Sequence, residues 1–145
     1  MKRLTLVVML ALFAISASAQ LNVKSKTESP EKIATAVQSL AILFHSDKLG
    51  YILAIGSDNR YDKPGKFLLG EDENGAIQTL QDLLDLCVNI DEQVVTVEPI
   101  PGHECTIRAD GRQGWLRLKF DTHAGFCELR DKDVADFISK IKERL

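Results

Sequence analysis

The residues best suited to bind a ligand alternate along one short segment. Trp115, Arg117 and Lys119 stand at every second position, with a leucine after each of the first two and a phenylalanine after the third. Successive side chains of a β-strand point to opposite faces of its sheet, so the apolar set would face a core and the other set would face solvent. Arg108 joins the solvent face if Ile107 points inward. The pattern predicts a surface that carries one Trp and three cations.

Such a surface has the chemistry of a binding site. Trp and Arg are enriched at binding hot spots, and the Arg guanidinium can hold a carboxylate or phosphate through two parallel hydrogen bonds. We therefore expect it to bind a protein, a peptide or an anionic small molecule. The alternative is a solvated outer sheet face, on which Lys and Arg deter edge-to-edge association and Trp115 packs over neighbouring side-chain stems.

Two histidines and two cysteines form a second candidate site: His103, Cys105, His123 and Cys127. Imidazole and thiolate are the ligands that tetrahedral zinc prefers, and His103 and Cys105 would share one face of a strand. Structural zinc sites draw close ligand pairs from tight turns, and that spacing does not occur here. A metal-binding or small hydrolytic site at these residues is the alternative function, although the sequence predicts no cofactor.

The cysteine count limits covalent cross-links. Cys87, Cys105 and Cys127 allow at most one internal disulfide, which excludes a disulfide-built scaffold. We predict burial of the cysteines as unpaired thiols, because a free cysteine behaves as a small apolar residue. The alternative, in an oxidising compartment, is a disulfide between Cys105 and Cys127.

Sequence motifs for catalysis are missing. The sequence contains no Gly-x-Ser-x-Gly, His-Glu-x-x-His, phosphate-binding glycine loop or dinucleotide fingerprint. His45, Ser46 and Asp47 are adjacent, so they cannot fold back into a hydrolase triad. We therefore expect a non-catalytic protein.

Residues 1–19 have the pattern of a secretory signal peptide. Lys2 and Arg3 precede an apolar run, and Ala17 and Ala19 provide the small residues of a cleavage site. Cleavage is predicted between Ala19 and Gln20, with secretion or a periplasmic location as the result. The apolar run is shorter than the about 20 residues of a membrane span, and none follows in the mature chain. The net charge of −3 argues against a nucleic-acid partner, because phosphates attract basic surfaces.

Two segments show the apolar periodicity of amphipathic helices, and we predict helices over 72–89 and 131–144. Asp72 can cap the first helix, and Asp131 begins the second, as the helix dipole favours. Strands are predicted where residues alternate or are β-branched: 51–55, 66–69, 94–98, 104–109 and 115–120.

Segment 31–49 fits two interpretations. Ile33, Leu40 and Phe44 follow helical spacing, but a helix would expose Ile42 to water. Two apolar strands, 40–45 and 51–55, around a turn at 46–50 avoid that exposure, and we predict strands rather than a helix. Each half of the chain then consists of about four strands and a helix, which is consistent with a tandem ββββα pseudo-repeat. The sequence predicts a single α+β domain over residues 20–145, a mostly antiparallel sheet with two helices packed on one face.

Overall fold

The computed structural model describes residues 29–145, so the predicted signal peptide and its cleavage site lie outside the described residues. The elements follow in the order β1 (Glu31–Ala36), β2 (Ala41–Ser46), β3 (Gly50–Ile55), β4 (Gly65–Gly70), α1 (Glu73–Asn89), β5 (Val94–Ile100), β6 (His103–Ala109), β7 (Trp115–Phe120), β8 (Cys127–Arg130) and α2 (Asp131–Lys142). None of the described helices is both long enough and apolar enough to cross a membrane.

The strands form two antiparallel four-stranded sheets. Each sheet is a meander, with the orders β1–β2–β3–β4 and β5–β6–β7–β8, and each is followed by one helix. The predicted α+β class, the antiparallel pairing and the repeated ββββα pattern are confirmed. The two meanders are separate sheets, and α1 lies between β4 and β5 in the chain. Pro99 in β5 also lacks the amide that a continuous ladder would need.

The segment with two interpretations folds as the strands β1 and β2 rather than as a helix, as predicted, but Leu40 lies in the turn between them and not in the predicted strand 40–45. Its turn contains Leu40 at a φ of 50°, a left-handed conformation that non-glycine residues rarely adopt. The amide of Leu40 donates to the carbonyl of Val37, and the carbonyl of Leu40 accepts from the amide of Gly56. These bonds hold the turn against the end of β3.

Both helices follow the predicted pattern. The Asp72 side chain caps α1 by accepting a hydrogen bond of 2.8 Å from the amide of Gly75. The inner stripes of α1 and α2 are buried, and they consist of Ala76, Leu80, Leu83, Cys87, Val134, Phe137, Ile138 and Ile141. The stripes pack with the inner faces of both sheets, so the described residues share one hydrophobic core.

Polar contacts join the two halves at their loops. The Asp62 carboxylate, in the β3–β4 loop, accepts hydrogen bonds from the amides of Ala124 and Gly125 at 3.1 and 2.8 Å. On the far side of the core, buried Ser39 in the β1–β2 turn donates to buried Asp133 in α2. The Arg130 guanidinium also contacts Asp133, at 2.9 Å. These contacts fix the relative position of the two sheets.

Candidate binding face

The outer face of the second sheet carries all four residues predicted to bind a ligand. In β7, the leucines and the phenylalanine are buried, whereas Trp115, Arg117 and Lys119 are partly exposed on the opposite side. In β6, Ile107 is fully buried and Arg108 is exposed. Arg108 lies directly opposite Arg117 in the strand register, so the two guanidinium groups share one face.

Phe126, which the sequence reasoning missed, forms the aromatic centre of this face. The guanidinium carbons of Arg108 and Arg117 lie 5.5 and 5.0 Å from its ring centroid, and the ammonium nitrogen of Lys119 lies 6.0 Å away. These are cation–π distances. Phe126 precedes the short strand β8, so no alternating pattern indicated which way it faces. Two hydrogen bonds of 2.8 Å between the backbone of Phe126 and Asp58 hold it there.

Trp115 lies at the other end of the face and contacts two different arginines. The guanidinium carbon of Arg112 lies 3.9 Å from the indole centroid, and that of Arg130 lies 5.8 Å away. Arg130 is also the register partner of Trp115 in β8. The indole is therefore largely engaged by neighbouring side chains, which is the packing role that the alternative interpretation assigned to it.

Asp110 neutralises part of the positive charge. Its side chain is only 3% exposed, and it accepts a hydrogen bond of 2.6 Å from Arg112 and one of 3.2 Å from Arg117. Burial by itself raises the pKa of this carboxyl, but the hydrogen bonds and the charges of the two arginines outweigh burial and lower the pKa below its ordinary value. Glu128 also pairs with Arg112, at 3.0 Å.

The positive charge available to a ligand is therefore concentrated around Phe126. Within residues 29–145, no carboxylate lies within ion-pair distance of Arg108 or Lys119. The Lys119 ammonium donates to the backbone carbonyl of His123, which leaves its charge unpaired. Arg108, Lys119 and Phe126 define what we call the Phe126 patch. Trp115 and Arg117 border it but are engaged with other side chains.

The four residues of the alternative site do not form one cluster. His103 is exposed, with Nδ1 3.5 Å from a carboxylate oxygen of Asp121, and the His123 ring packs edge-on against Phe120 at 5.1 Å. Both histidines line an open cleft of about 340 Å³ between the sheets. Cys105 and Cys127 are instead buried in the core. Over the described part of the chain, no three His, Cys, Asp or Glu side chains are placed to hold a metal ion.

The register also separates Cys105 and Cys127, the two cysteines of the alternative disulfide. Cys105 pairs with Phe120 and Cys127 pairs with Leu118, so β7 runs between them. Two strand spacings place their Cα atoms roughly 10 Å apart, whereas a disulfide needs less than about 7 Å. All three cysteines are free thiols in the structure, which therefore does not support this disulfide.

Burial also suppresses the reactivity of the thiols. It raises the pKa of Cys87 and of Cys105 to about 12, and that of Cys127 to about 11. The Cys127 thiol donates to the carbonyl of Ile55 at 3.4 Å. Because the thiolate is the nucleophile and the metal ligand, these thiols have the character of core residues.

The chain matches no known protein family, no curated protein and no solved structure. Its function must therefore be argued from the chemistry of its own surface.

Proposed function

We propose that this chain is an exported, non-catalytic binding protein that holds an acidic segment of a partner protein or peptide on the Phe126 patch. The observation that carries the proposal is the Phe126 ring, which three cationic groups surround on an open sheet face. The partner's carboxylates would contact Arg108 and Lys119, and its apolar groups would contact the ring.

The chemistry of the patch favours carboxylates combined with apolar groups. Arg108 can hold a carboxylate through two hydrogen bonds, and Lys119 adds a second positive charge on the same face. A flat, exposed sheet face also suits an extended or partly folded polypeptide. The rest of the face, from Asp110 to Trp115, already has its own partners, so it serves as a rigid border that keeps Arg117 in place.

A titration with two labelled peptides tests this proposal. One peptide alternates glutamate and valine, and the other alternates lysine and valine. We expect the acidic peptide to bind and the double variant Arg108→Ala/Lys119→Ala to weaken binding about tenfold or more. Binding should also weaken as salt rises, because the contacting charges are exposed. Fluorescence anisotropy measures each dissociation constant.

A matched control removes two exposed cations elsewhere. Lys140→Ala/Lys142→Ala changes the net charge of the protein by the same amount, but on α2, and should leave binding unchanged. Equal loss in the two double variants would show that only net charge matters and would overturn the proposal. Equal binding of the acidic and basic peptides would overturn it as well.

Export is part of the proposal and has its own test. It is supported by the basic start, the apolar run and the small residues that precede Gln20. Mass spectrometry of the protein recovered from the medium or the periplasm should find a chain that begins at Gln20. Recovery of the intact chain from the cytoplasm alone would contradict export without affecting the binding test.

A further inference from the structure

The outer face of the first sheet is apolar, in contrast to that of the second. The register places Phe44, Ile52 and Leu68 side by side across β2, β3 and β4, and it places Ile42 beside Ala54 in the next row. Antiparallel sheets with one buried face normally present alternating polar residues on the other. Here the central residues of β2 and β3 are apolar on both faces, and every residue of β3 is buried.

These five residues form a surface layer separate from the core, which we call the first-sheet apolar face. Ile52 and Ala54 are only 7% and 9% exposed, yet neither belongs to the core cluster of the described residues. They are shielded by their neighbours on the same face, since Ile42, Phe44 and Leu68 flank them and are themselves partly exposed.

Leu40 extends this face at one end. Its side chain is 62% exposed. A Cβ atom at Gly56, the next outward position of the chain after Ala54, would lie 3.2 Å from the Leu40 Cβ. Because Gly56 has no side chain, it leaves room for the side chain of Leu40. An exposed leucine in a strained left-handed turn suits a surface on which it gains a contact.

The charged residues at the outward positions of these strands have one sign, and the nearest carboxylates, Asp82 and Glu98, line a cleft beside Leu68 at one border of the face. Lys32 on β1 lies opposite Phe44, and Lys66 on β4 lies opposite Ala54, so a lysine stands at each edge of the apolar rows. The outward positions of the four strands carry no acidic residue. A second copy of this chain would bring lysines toward lysines, with no carboxylate at the outward strand positions of either copy, so charge complementarity disfavours self-association.

We propose that the first-sheet apolar face docks an amphipathic helix of another protein whose apolar stripe is bordered by Asp or Glu. The apolar rows span β2 to β4, which is two strand spacings or about 10 Å, and this matches the diameter of one helix with its side chains. The apolar stripe would cover Phe44, Ile52 and Leu68. The acidic borders would pair with Lys32 and Lys66, as in other helix-on-surface complexes.

The test uses two helical peptides of about 18 residues, long enough to form a helix on a surface. Both carry leucines at helical spacing, and the flanking positions are glutamate in one and lysine in the other. We expect the glutamate peptide to bind more tightly. Ile42→Thr/Phe44→Thr should weaken that binding at least about tenfold while keeping the β-branched character that strands favour. The control Val94→Thr removes an exposed apolar side chain from the second sheet and should change nothing.

A charge-reversal variant keeps the test decisive if the threonine variant folds poorly. Lys32→Glu/Lys66→Glu leaves the apolar rows intact and should reverse the preference toward the lysine peptide. Equal affinity for both peptides in the native protein would overturn the proposal. So would a concentration-dependent dimer that Ile42→Thr/Phe44→Thr abolishes, since that result assigns the face to a second copy. Arg108→Ala/Lys119→Ala should not affect this binding, so the proposal stands independently of the Phe126 patch.

Discussion

The two halves of this protein share a pattern of four strands and a helix, and they differ most on their outer faces. In the first sheet, the outward residues in the middle of β2 and β3 are aliphatic or aromatic. In the second sheet, the outward positions of β6 and β7 carry two arginines and a lysine around Phe126. The inner faces of both sheets are apolar and contribute to one core. The shared pattern therefore determines which positions point outward but not what those positions carry.

The comparison teaches where the chemistry of this fold can vary. Inner positions must fill a common core, so the two halves use similar residues there. Outer positions have no such constraint, and the two sheets present surfaces of different chemistry. Substitutions in the core show whether the halves form one cooperative unit, and substitutions at the loops and thiols show how they differ.

The largest effects on stability are expected from core substitutions in an inner strand of each sheet. Leu53 in β3 and Leu118 in β7 are both fully buried, so Leu53→Ala and Leu118→Ala should each lower the free energy of unfolding by about 3 kcal/mol. Urea denaturation measures both losses. Each variant should unfold in a single transition because the halves share one core. Two separate transitions, or a loss in only one variant, would show that the halves are independent.

The contact between Ser39 and Asp133 should have the next largest effect. It joins the first half to α2, and both residues are buried. Asp133→Ala removes the acceptor of Ser39 and of Arg130, so we expect a loss of about 2 kcal/mol in unfolding free energy. Asp136→Ala on the exposed side of α2 is the control. If the two variants were equally stable, this contact would not hold the halves together.

A smaller, pH-dependent effect is expected from Asp62. Hydrogen bonds from the Gly125 amide above all, and from Ala124 and Ser57, lower the pKa of its carboxyl from 3.8 to about 2. The ionised form is thus favoured in the folded state. Its contribution to stability is present above the ordinary pKa and is lost as the pH falls toward 2. Asp62→Asn should therefore flatten the stability profile between about pH 4 and 2.

Urea titrations at several acidic pH values measure this profile. The exposed Asp47→Asn serves as the control and should retain the steep acid limb of the native protein. A native-like acid limb in Asp62→Asn would mean that the loop contact contributes nothing to the junction between the halves.

The smallest effect concerns the thiols. Cys87 lies in the first half, and Cys105 and Cys127 lie in the second, but all three are buried and have raised pKa values. Iodoacetamide at about pH 7.5 should label almost none of the three thiols in the native protein and all three after denaturation. Mass spectrometry counts the labels. Rapid labelling of the second half alone in the native protein would indicate a reactive site there. A count of one label instead of three after denaturation would show that two of the cysteines form a disulfide.

Much of the fold could be predicted because local patterns were strong. The apolar stripes that contain Leu80 and Phe137, together with the Asp72 cap, indicate helices from residues that lie close together in the sequence. The alternation in β7 also predicts that Trp115 and Arg117 lie on the outer face, which is where the structure has them. Each of these predictions depends only on spacing along the chain.

The details of the candidate site could not be predicted in this way. Phe126 meets Arg108 only because the β7–β8 loop is tied to Asp58, a residue far away in sequence. Asp110 is in a hairpin turn, where a carboxylate is usually solvated, and only the fold shows that it is buried against Arg117. Likewise, burial of each cysteine was predictable, but their separation by β7 was not.

The sequence by itself determined the class of the fold, the positions of the helices and the outward direction of Trp115, Arg117 and Lys119, because helical and strand periodicities are local properties of the chain. Tertiary structure alone decided that the strands form two sheets, that Phe126 centres the cationic face, and that an apolar layer remains on the first sheet. These features depend on which strands become neighbours, and strand neighbours are chosen by the packing of the whole core.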